Sequence, residues 1–435
     1  MGSRLTRSQK VKLQDGRTAT VIDRLGEGGQ GTVYKVCLDG TGEEKALKWY
    51  FIENVSNPQM FYDNLKVNIE TGAPSPAFVW PEALTEWVNG TFGYIMRIFP
   101  KEYESFSKYL MAKVHFRNAE AAVNAALNIV SSFKVLHNCG YSYQDLNDGN
   151  FSIHPQTGDV LICDNDNVMG HGQFAGVRGK ARYMAPEVVR GEKQPDRQTD
   201  KFSLAVVLFM LFFGDHPLEG KKTNVPALTV KYDRKIFGEQ PLFIFDEKDD
   251  SNRPIPELHR NAILLWPFFP RYIHEAFGRS FCQDSLLKAQ DRLLEQEWLH
   301  LLVRLKSSIV KCPKCKSEIF LESHGETTCP DCKASIKPAG YIRFLKRRSD
   351  IEVRVPIFEG TRLFSYHMTE TSNDYQTEVA SILTKPGKFG LKNNSTLRWA
   401  VSADGKTITK QPGDVVVLGT NLKIDFGNGN VAEIC

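Results

Sequence analysis

The pattern of apolar and polar positions divides this chain into three stretches of different texture. In the first, short β-like runs at residues 18–23, 34–38, 45–49 and 94–99 are separated by glycine-rich or polar turns. A helical period then covers residues 119–137 and is followed by an apolar strand at 160–163. The run 204–213 is apolar throughout and predicts a buried core helix, at about half of the roughly 20 residues a bilayer span requires. Beyond about residue 352 the texture changes again. Short apolar runs are set off by turn residues at Asn393-Asn394, Asp404-Gly405, Pro412-Gly413 and Gly427-Asn428-Gly429, which argues a compact all-β sandwich or barrel.

A chain of 435 residues exceeds one ordinary core, at roughly 100 to 200 residues per domain. The units expected are 10–305 (smaller lobe 10–97, larger lobe 98–305), 308–340 and 350–435. The fold class expected is α+β, a two-lobed α/β unit followed by a small cysteine module and an all-β module. A hydrophobic fraction of 41% with 24% charged residues fits a globular chain with a packed core. No membrane span is expected, and the basic N-terminus lacks a following apolar signal region, so the expected location is cytoplasmic. Nine cysteines, four of them in two tight pairs, suit a reducing compartment with a metal site better than a disulfide framework.

The first candidate chemistry lies in Leu25-Gly26-Glu27-Gly28-Gly29-Gln30-Gly31-Thr32-Val33. Glycines let the backbone approach a polyphosphate and offer N–H donors to it, and Val33 can cover an adenine face. A dinucleotide fold uses the same Gly-x-Gly-x-x-Gly spacing but needs a helix directly after it, whereas here a strand returns. Lys45-Ala46-Leu47-Lys48-Trp49 resembles the Val-Ala-Ile-Lys strand of protein kinases, with Lys48 in the phosphate-pairing place. Met96 and Ile98, in a strand that resembles the one entering the kinase hinge, fall at the mouth of the adenine pocket beside Ala46.

Tyr143-Gln144-Asp145-Leu146-Asn147-Asp148-Gly149-Asn150 is similar to the kinase catalytic loop. The resemblance implies that Asp145 handles the substrate hydroxyl proton and that Asn150 ligates Mg²⁺. Asp164-Asn165-Asp166 stands where kinases carry Asp-Phe-Gly, which implies Asp164 as the second Mg²⁺ ligand, with Asp166 the competing candidate and a further carboxylate near the metals. Met184-Ala185-Pro186-Glu187 looks like the segment that closes the activation loop, Asp200 stands where kinases hold the catalytic-loop backbone, and Arg292 is placed to pair with Glu187. The motifs together imply a protein kinase using ATP and Mg²⁺.

Several positions depart from that pattern. Gln144 replaces the arginine that receives an activation-loop phosphate in many kinases, and between Asp164 and Glu187 the only hydroxyl is that of Tyr183. Loss of both suggests that the usual phospho-switch is absent. Asn147 stands in place of a lysine and Lys180 in place of a threonine, so the cation is expected to have moved to Lys180, reaching the Asp145 region. Residues 59–70 read as the helix after Lys48, but they offer only Asp63 and Glu70, neither at the expected distance, and the partner of Lys48 is left unassigned. A pseudokinase or nucleotide-binding scaffold is the alternative.

Cys312-Pro313-Lys314-Cys315 and Cys329-Pro330-Asp331-Cys332 form two knuckles 13 residues apart, a strong zinc-ribbon signal. Four thiolates close a tetrahedral Zn²⁺ site with no open position, which favours a structural role. The module is flanked by Lys306, Lys311, Lys314, Lys316, Lys333, Lys337, Arg343, Lys346, Arg347 and Arg348, and nucleic-acid association is the second alternative function. Aromatic partners are sparse there and the net charge is only +4, so nucleic acid is not the expected partner.

The stretch before residue 274 reads as a buttress, with Pro241-Leu242-Phe243-Ile244-Phe245 apolar and an acidic tip at 246–250. With Ser251-Asn252-Arg253-Pro254 and residues 263–270 it resembles bacterial eukaryotic-like Ser/Thr kinases encoded beside a von Willebrand A-domain protein and a metal-dependent phosphatase, in tellurite-resistance-type gene sets. That resemblance implies an A-domain protein as substrate and an opposing phosphatase. Phe389-Gly390-Leu391-Lys392-Asn393 and Leu422-Lys423-Ile424-Asp425-Phe426-Gly427 faintly resemble forkhead-associated domains, and an Ig-like docking module is the equal alternative. Oligomeric state is not legible.

Overall fold

The computed structural model describes residues 4–170, 179–225, 229–345, 353–369 and 373–435. Part of the loop between Asp164 and Glu187, and Lys346, Arg347 and Arg348 of the basic flank, lie outside the described residues.

The β-like runs at the start of the chain form one six-stranded antiparallel sheet. Its strands are β1 (Lys10–Lys12), β2 (Thr18–Glu27), β3 (Gly31–Leu38), β4 (Glu44–Tyr50), β5 (Ala83–Leu84) and β6 (Gly93–Met96), in the order β1-β2-β3-β4-β6-β5. The β2–β3 hairpin carries the glycines. Gly31 faces Tyr50 across the β3–β4 pair, and a Cβ on it would lie 2.2 Å from the Trp49 carbonyl oxygen, so only glycine lets the strands close there. One helix, α1 (Pro58–Thr71), packs on this sheet through Phe61, Tyr62 and Leu65. Asn57 caps its first turn and Pro58 occupies N1, while Gly72 at φ 82° ends it.

The larger helical unit is organised around the apolar helix Arg197–Phe213, which packs against Ala119–Asn138 and Arg271–Phe281, while Glu295–Ser307 packs against Ala119–Asn138. Asp196 and Thr199 close a capping box at the start of the apolar helix, and Gly214 at φ 70° stops it. The buttress region contains the short helical turns Val230–Asp233, Arg234–Glu239 and Arg260–Leu265. Phe243 and Ile244 join the helical core, and the tip at 247–250 is exposed.

After a small four-cysteine module, the chain closes in a two-sheet β-sandwich. One sheet has the strand order Val353–Pro356, Tyr341–Leu345, Val431–Ile434, Lys423–Asp425, Trp399–Ala403, Lys406–Lys410. The other runs Arg362–Phe364, Glu378–Lys385, Lys388–Asn393, Val415–Val417. Alternating inward residues, among them Ile342, Val355, Leu391, Trp399 and Ile424, form its core.

The sandwich is joined to the helical unit. Phe364, Tyr366 and Tyr375 enter the helical core, and Arg362 pairs with Glu120 at 2.9 Å. Lys306, one of the basic residues that flank the cysteine module, is buried at this junction. It donates to the Tyr375 carbonyl oxygen at 3.1 Å and to Gln376 at 2.7 Å, and its ammonium lies 4.2 Å from the Phe364 ring centre. Arg343 of the same flank is paired with Glu433. Two of the cations counted toward a nucleic-acid surface are therefore engaged within the protein.

Candidate active site

The cleft between the sheet and the helical unit gathers the chemically marked residues. Ala46 on β4 sits opposite Met96 on β6, and both belong to one apolar cluster with Leu161, against which Val33 and Ile98 are partly buried. Gly26, Gly28 and Gly29 have open space where side chains would stand, and the Gly28 N–H donates to the Gly31 carbonyl oxygen at 2.9 Å, tightening the hairpin tip.

Lys48 and Tyr50 are two residues apart on β4 and so share one face. Both converge on Asp166: the Lys48 ammonium lies 2.6 Å from Asp166 Oδ2, and the Tyr50 phenol donates to the same oxygen at 2.5 Å. Lys48 is also 3.2 Å from Asp164 Oδ1. Burial alone would lower the lysine's pKa, but Asp164 and Asp166 outweigh it and hold the ammonium well above its ordinary range. Asp164 ends the strand Val160–Ile162 in the left-handed region, at φ 53° and ψ 43°, and leaves its carboxylate 46% exposed. Asp166, by contrast, is fully buried. It stands as a close partner of Lys48, for which the sequence assigned none.

Asn165 fills the place of the usual phenylalanine with hydrogen bonds instead of apolar packing. Its amide donates at 2.8 Å both to the Val79 and to the Ile162 carbonyl oxygens. Helix α1 meets the same segment through amides, with Asn64 and Asn68 donating to the Val168 carbonyl oxygen at 3.0 and 3.1 Å.

In the loop before Asn150, Asn147 donates to Asp145 Oδ1 at 3.1 Å and Asn150 donates to the Asp145 carbonyl oxygen at 2.8 Å. With its amide nitrogen so committed, Asn150 has its oxygen left for another partner. Burial, and next the nearby Asp164 carboxylate, push the Asp145 pKa up to about 6. Gly179 at φ 74° presses against this loop, and a Cβ there would come within 2.8 Å of Asp145 Oδ1. Lys180 pairs with Asp148 at 3.3 Å, so its ammonium is held beside Asp145's neighbour and not by Asp145 itself. Gln144 is buried and donates to Ser142 at 3.0 Å, and Tyr183 is 2% exposed.

Below the loop, Asp200 accepts from the backbone N–H groups of Tyr143 at 2.7 Å and Gln144 at 3.1 Å. Glu187 and Arg292 make a bidentate pair at 2.8 and 2.7 Å. Sequence reasoning missed two elements of this arrangement: Tyr50, and the buried His137, which bridges Glu295 at 2.6 Å and Asp200 at 3.1 Å.

The four cysteines sit apart from the cleft. Their Sγ atoms lie within 4.8 Å of one another, with Cys312–Cys332 at 3.6 Å and Cys315–Cys329 at 3.7 Å. A tetrahedron with Zn–S of about 2.3 Å has edges of about 3.8 Å, so the cluster fits zinc. The two knuckles repeat one geometry: Lys316 N–H bonds the Cys312 carbonyl oxygen and Lys333 N–H the Cys329 carbonyl oxygen, with both lysines at positive φ.

A glycine hairpin over a cleft, a strand lysine among carboxylates, and an aspartate–asparagine loop pinned to the apolar helix define a two-lobed phosphotransfer-type fold. Residues 19–260 match the protein kinase domain family, which is more than half of the chain, and the chain belongs to that family. It is similar to protein kinase YegI of Escherichia coli (strain K12), with 25% identity over 360 residues, 77% of this chain and 51% of that protein. It is also similar to the probable serine/threonine-protein kinase PknB of Corynebacterium glutamicum, 30% identical over 113 residues that make up 24% of this chain and 17% of that protein. Serine/threonine-protein kinase SIK1 of Mus musculus is 31% identical over 142 residues, 31% of this chain and 17% of that protein. The chain thus spans about half the length of the first of these relatives and under a fifth of the other two. No described helix is long and apolar enough to cross a membrane.

Proposed function

We propose that this chain is an ATP- and Mg²⁺-dependent protein kinase that transfers the γ-phosphate to serine or threonine hydroxyls of a partner protein. The observation that carries the reading is the convergence in one cleft of Lys48, held 3.2 Å from Asp164, with the Asp145–Asn150 loop whose two residues are hydrogen-bonded to each other. In this reading Asp145 accepts the proton of the substrate hydroxyl, and Asn150 and Asp164 hold the metal. Lys48 grips the phosphates under the backbone of Gly26, Gly28 and Gly31, and Val33, Ala46, Met96 and Ile98 enclose the adenine. Bound Mg²⁺ supplies neutralisation of charge developing on the transferred group. Buried Gln144 and Tyr183 support control without an activation-loop phosphate. Lys180 supplies a positive charge next to the loop. Cys312, Cys315, Cys329 and Cys332 hold a structural zinc that supplies folding free energy to their module. The resemblance to kinases encoded with a von Willebrand A-domain protein and a metal-dependent phosphatase makes such an A-domain protein the substrate to test first.

The test is transfer of radiolabelled phosphate from ATP to A-domain proteins and to the chain itself, on protein whose zinc content is measured. Wild-type protein carrying one zinc per chain should label serine or threonine, and Asp145→Asn should reduce labelling at least a hundredfold. A wild-type protein that binds Mg-ATP yet labels nothing would establish the pseudokinase alternative.

A further inference from the structure

We infer that Asp166 is the positioning residue for Lys48, doing from within the metal-bearing segment what the helix after the lysine strand would otherwise do; the inference rests on the kinase reading above. Three observations carry it. One oxygen of Asp166 receives both the Lys48 ammonium at 2.6 Å and the Tyr50 phenol at 2.5 Å, and the carboxylate is fully buried. Its rotation is therefore fixed by two groups from the same face of one strand.

Helix α1, in turn, presents no carboxylate to the lysine. Its acidic residues Asp63 and Glu70 are exposed, and its inner face is held by the Asn64 and Asn68 amides on the Val168 carbonyl oxygen. Glu70 is two residues from Asn68, about 200° around the helix. Turning Glu70 inward would break both the Asn68–Val168 bond and the 2.7 Å bond from the Trp80 indole to the Asn68 carbonyl oxygen.

The third observation is that Asp164 and Asp166 flank the same ammonium, at 3.2 and 2.6 Å, across a single turn. The phosphate-gripping lysine and the metal-holding aspartate are thereby registered by three consecutive residues. Their alignment draws on no acidic residue of α1, which meets the segment through the Asn64 and Asn68 amides alone.

The experiment compares wild type, Asp166→Asn, Tyr50→Phe, Asp63→Asn and Glu70→Gln in phosphotransfer and in binding of Mg-ATP and of adenosine, each by displacement of a fluorescent nucleotide. Asp166→Asn should lower turnover at least tenfold and weaken Mg-ATP binding at least fivefold, with adenosine affinity unchanged because adenosine lacks the phosphates that Lys48 grips. Tyr50→Phe, which keeps the charge, should act in the same direction by about threefold and serves if Asp166→Asn does not fold. The α1 variants should match wild type. The inference is overturned if Asp166→Asn or, in its absence, Tyr50→Phe binds Mg-ATP as wild type does, if adenosine affinity falls in parallel, or if either α1 variant loses tenfold in turnover. A wild type without phosphotransfer would sink the kinase reading alone, since the binding comparison still decides the role of Asp166.

Discussion

Two buried ion pairs bridge distant parts of this chain, and they are built differently. Glu187 and Arg292 meet in parallel, each carboxylate oxygen taking one guanidinium nitrogen at 2.8 and 2.7 Å, so the acid is satisfied on both sides. Lys48 and Asp166 meet through one oxygen only, and among the described residues the other oxygen of Asp166 is buried without a hydrogen-bond partner. The first pair has the geometry of a clamp, in which removing a partner strands a buried charge. The second leaves a polar atom unpaired beside an exposed carboxylate in the left-handed conformation. Unsatisfied buried groups and sparse backbone regions cost stability and cluster where a site does chemistry.

The contrast predicts opposite balances of stability and activity. Arg292→Ala should cost about 3 to 5 kcal/mol of stability in chemical denaturation, because Glu187 would be left buried and uncompensated. Arg292→Lys should recover only part of that, since an ammonium cannot reproduce the bidentate fork. Asp166→Asn, by contrast, should cost more in turnover than in stability. An Arg292→Ala protein as stable as the parent would remove the clamp from the comparison.

A smaller effect tests whether the polar anchor beneath the Asp145–Asn150 loop belongs with the clamp. His137 lies between Glu295 and Asp200, and although burial opposes its charge, the two carboxylates raise its pKa to about 9. A group whose pKa is raised on folding stabilises fully below its unfolded value of about 6.5 and loses that contribution as pH climbs to about 9. Glu295 has the reverse sign, with a lowered pKa and a contribution lost as pH falls through its folded value. Stability should therefore decline between about pH 6.5 and 9 by on the order of 2 to 4 kcal/mol, and His137→Gln should flatten that decline. A decline of the same size in the variant would assign it to other groups.

The same contrast explains what could be seen in the sequence. Glu187, Asp200 and Arg292 occupy places where residue type and order are constrained together, and reading them required only the motifs around them. The Lys48 partner does not follow that logic: on α1, Asp63 and Glu70 face solvent, while the acid lies two residues past Asp164, where kinases carry a glycine. An aspartate where a glycine belongs, together with a missing acid upstream, was the available signal. Tyr50 and His137 were opaque because an aromatic in a strand or a histidine late in a helix reads as core until its neighbours are known. In the C-terminal part, turn spacing announced the sandwich, but nothing local told that Lys306 would be buried under it. Its burial depends on the docking of Phe364, Tyr366 and Tyr375 onto helices far earlier in the chain.

The smallest expected change in stability belongs to a third pair, exposed where the other two are buried. Lys180 lies 3.3 Å from Asp148, with its side chain 55% exposed. Exposed pairs contribute about 0.2 to 1 kcal/mol and are screened by salt, so Lys180→Met should leave the denaturation midpoint nearly unchanged. Its effect should instead fall on chemistry. Lys180 follows Gly179, which abuts Asp145, and its ammonium, paired with Asp148, offsets part of the negative charge at Asp145. Asn147 stands in place of a lysine, and residues 141–150 carry no cation of their own. Lys180→Met should thus slow phosphotransfer more than threefold at constant stability, with Lys180→Arg recovering most of the rate. If Lys180→Met turned over within threefold of the parent, the pair with Asp148 would be an ordinary surface contact, and the charge facing the transferred phosphate would have to come from Lys48 and the metals alone.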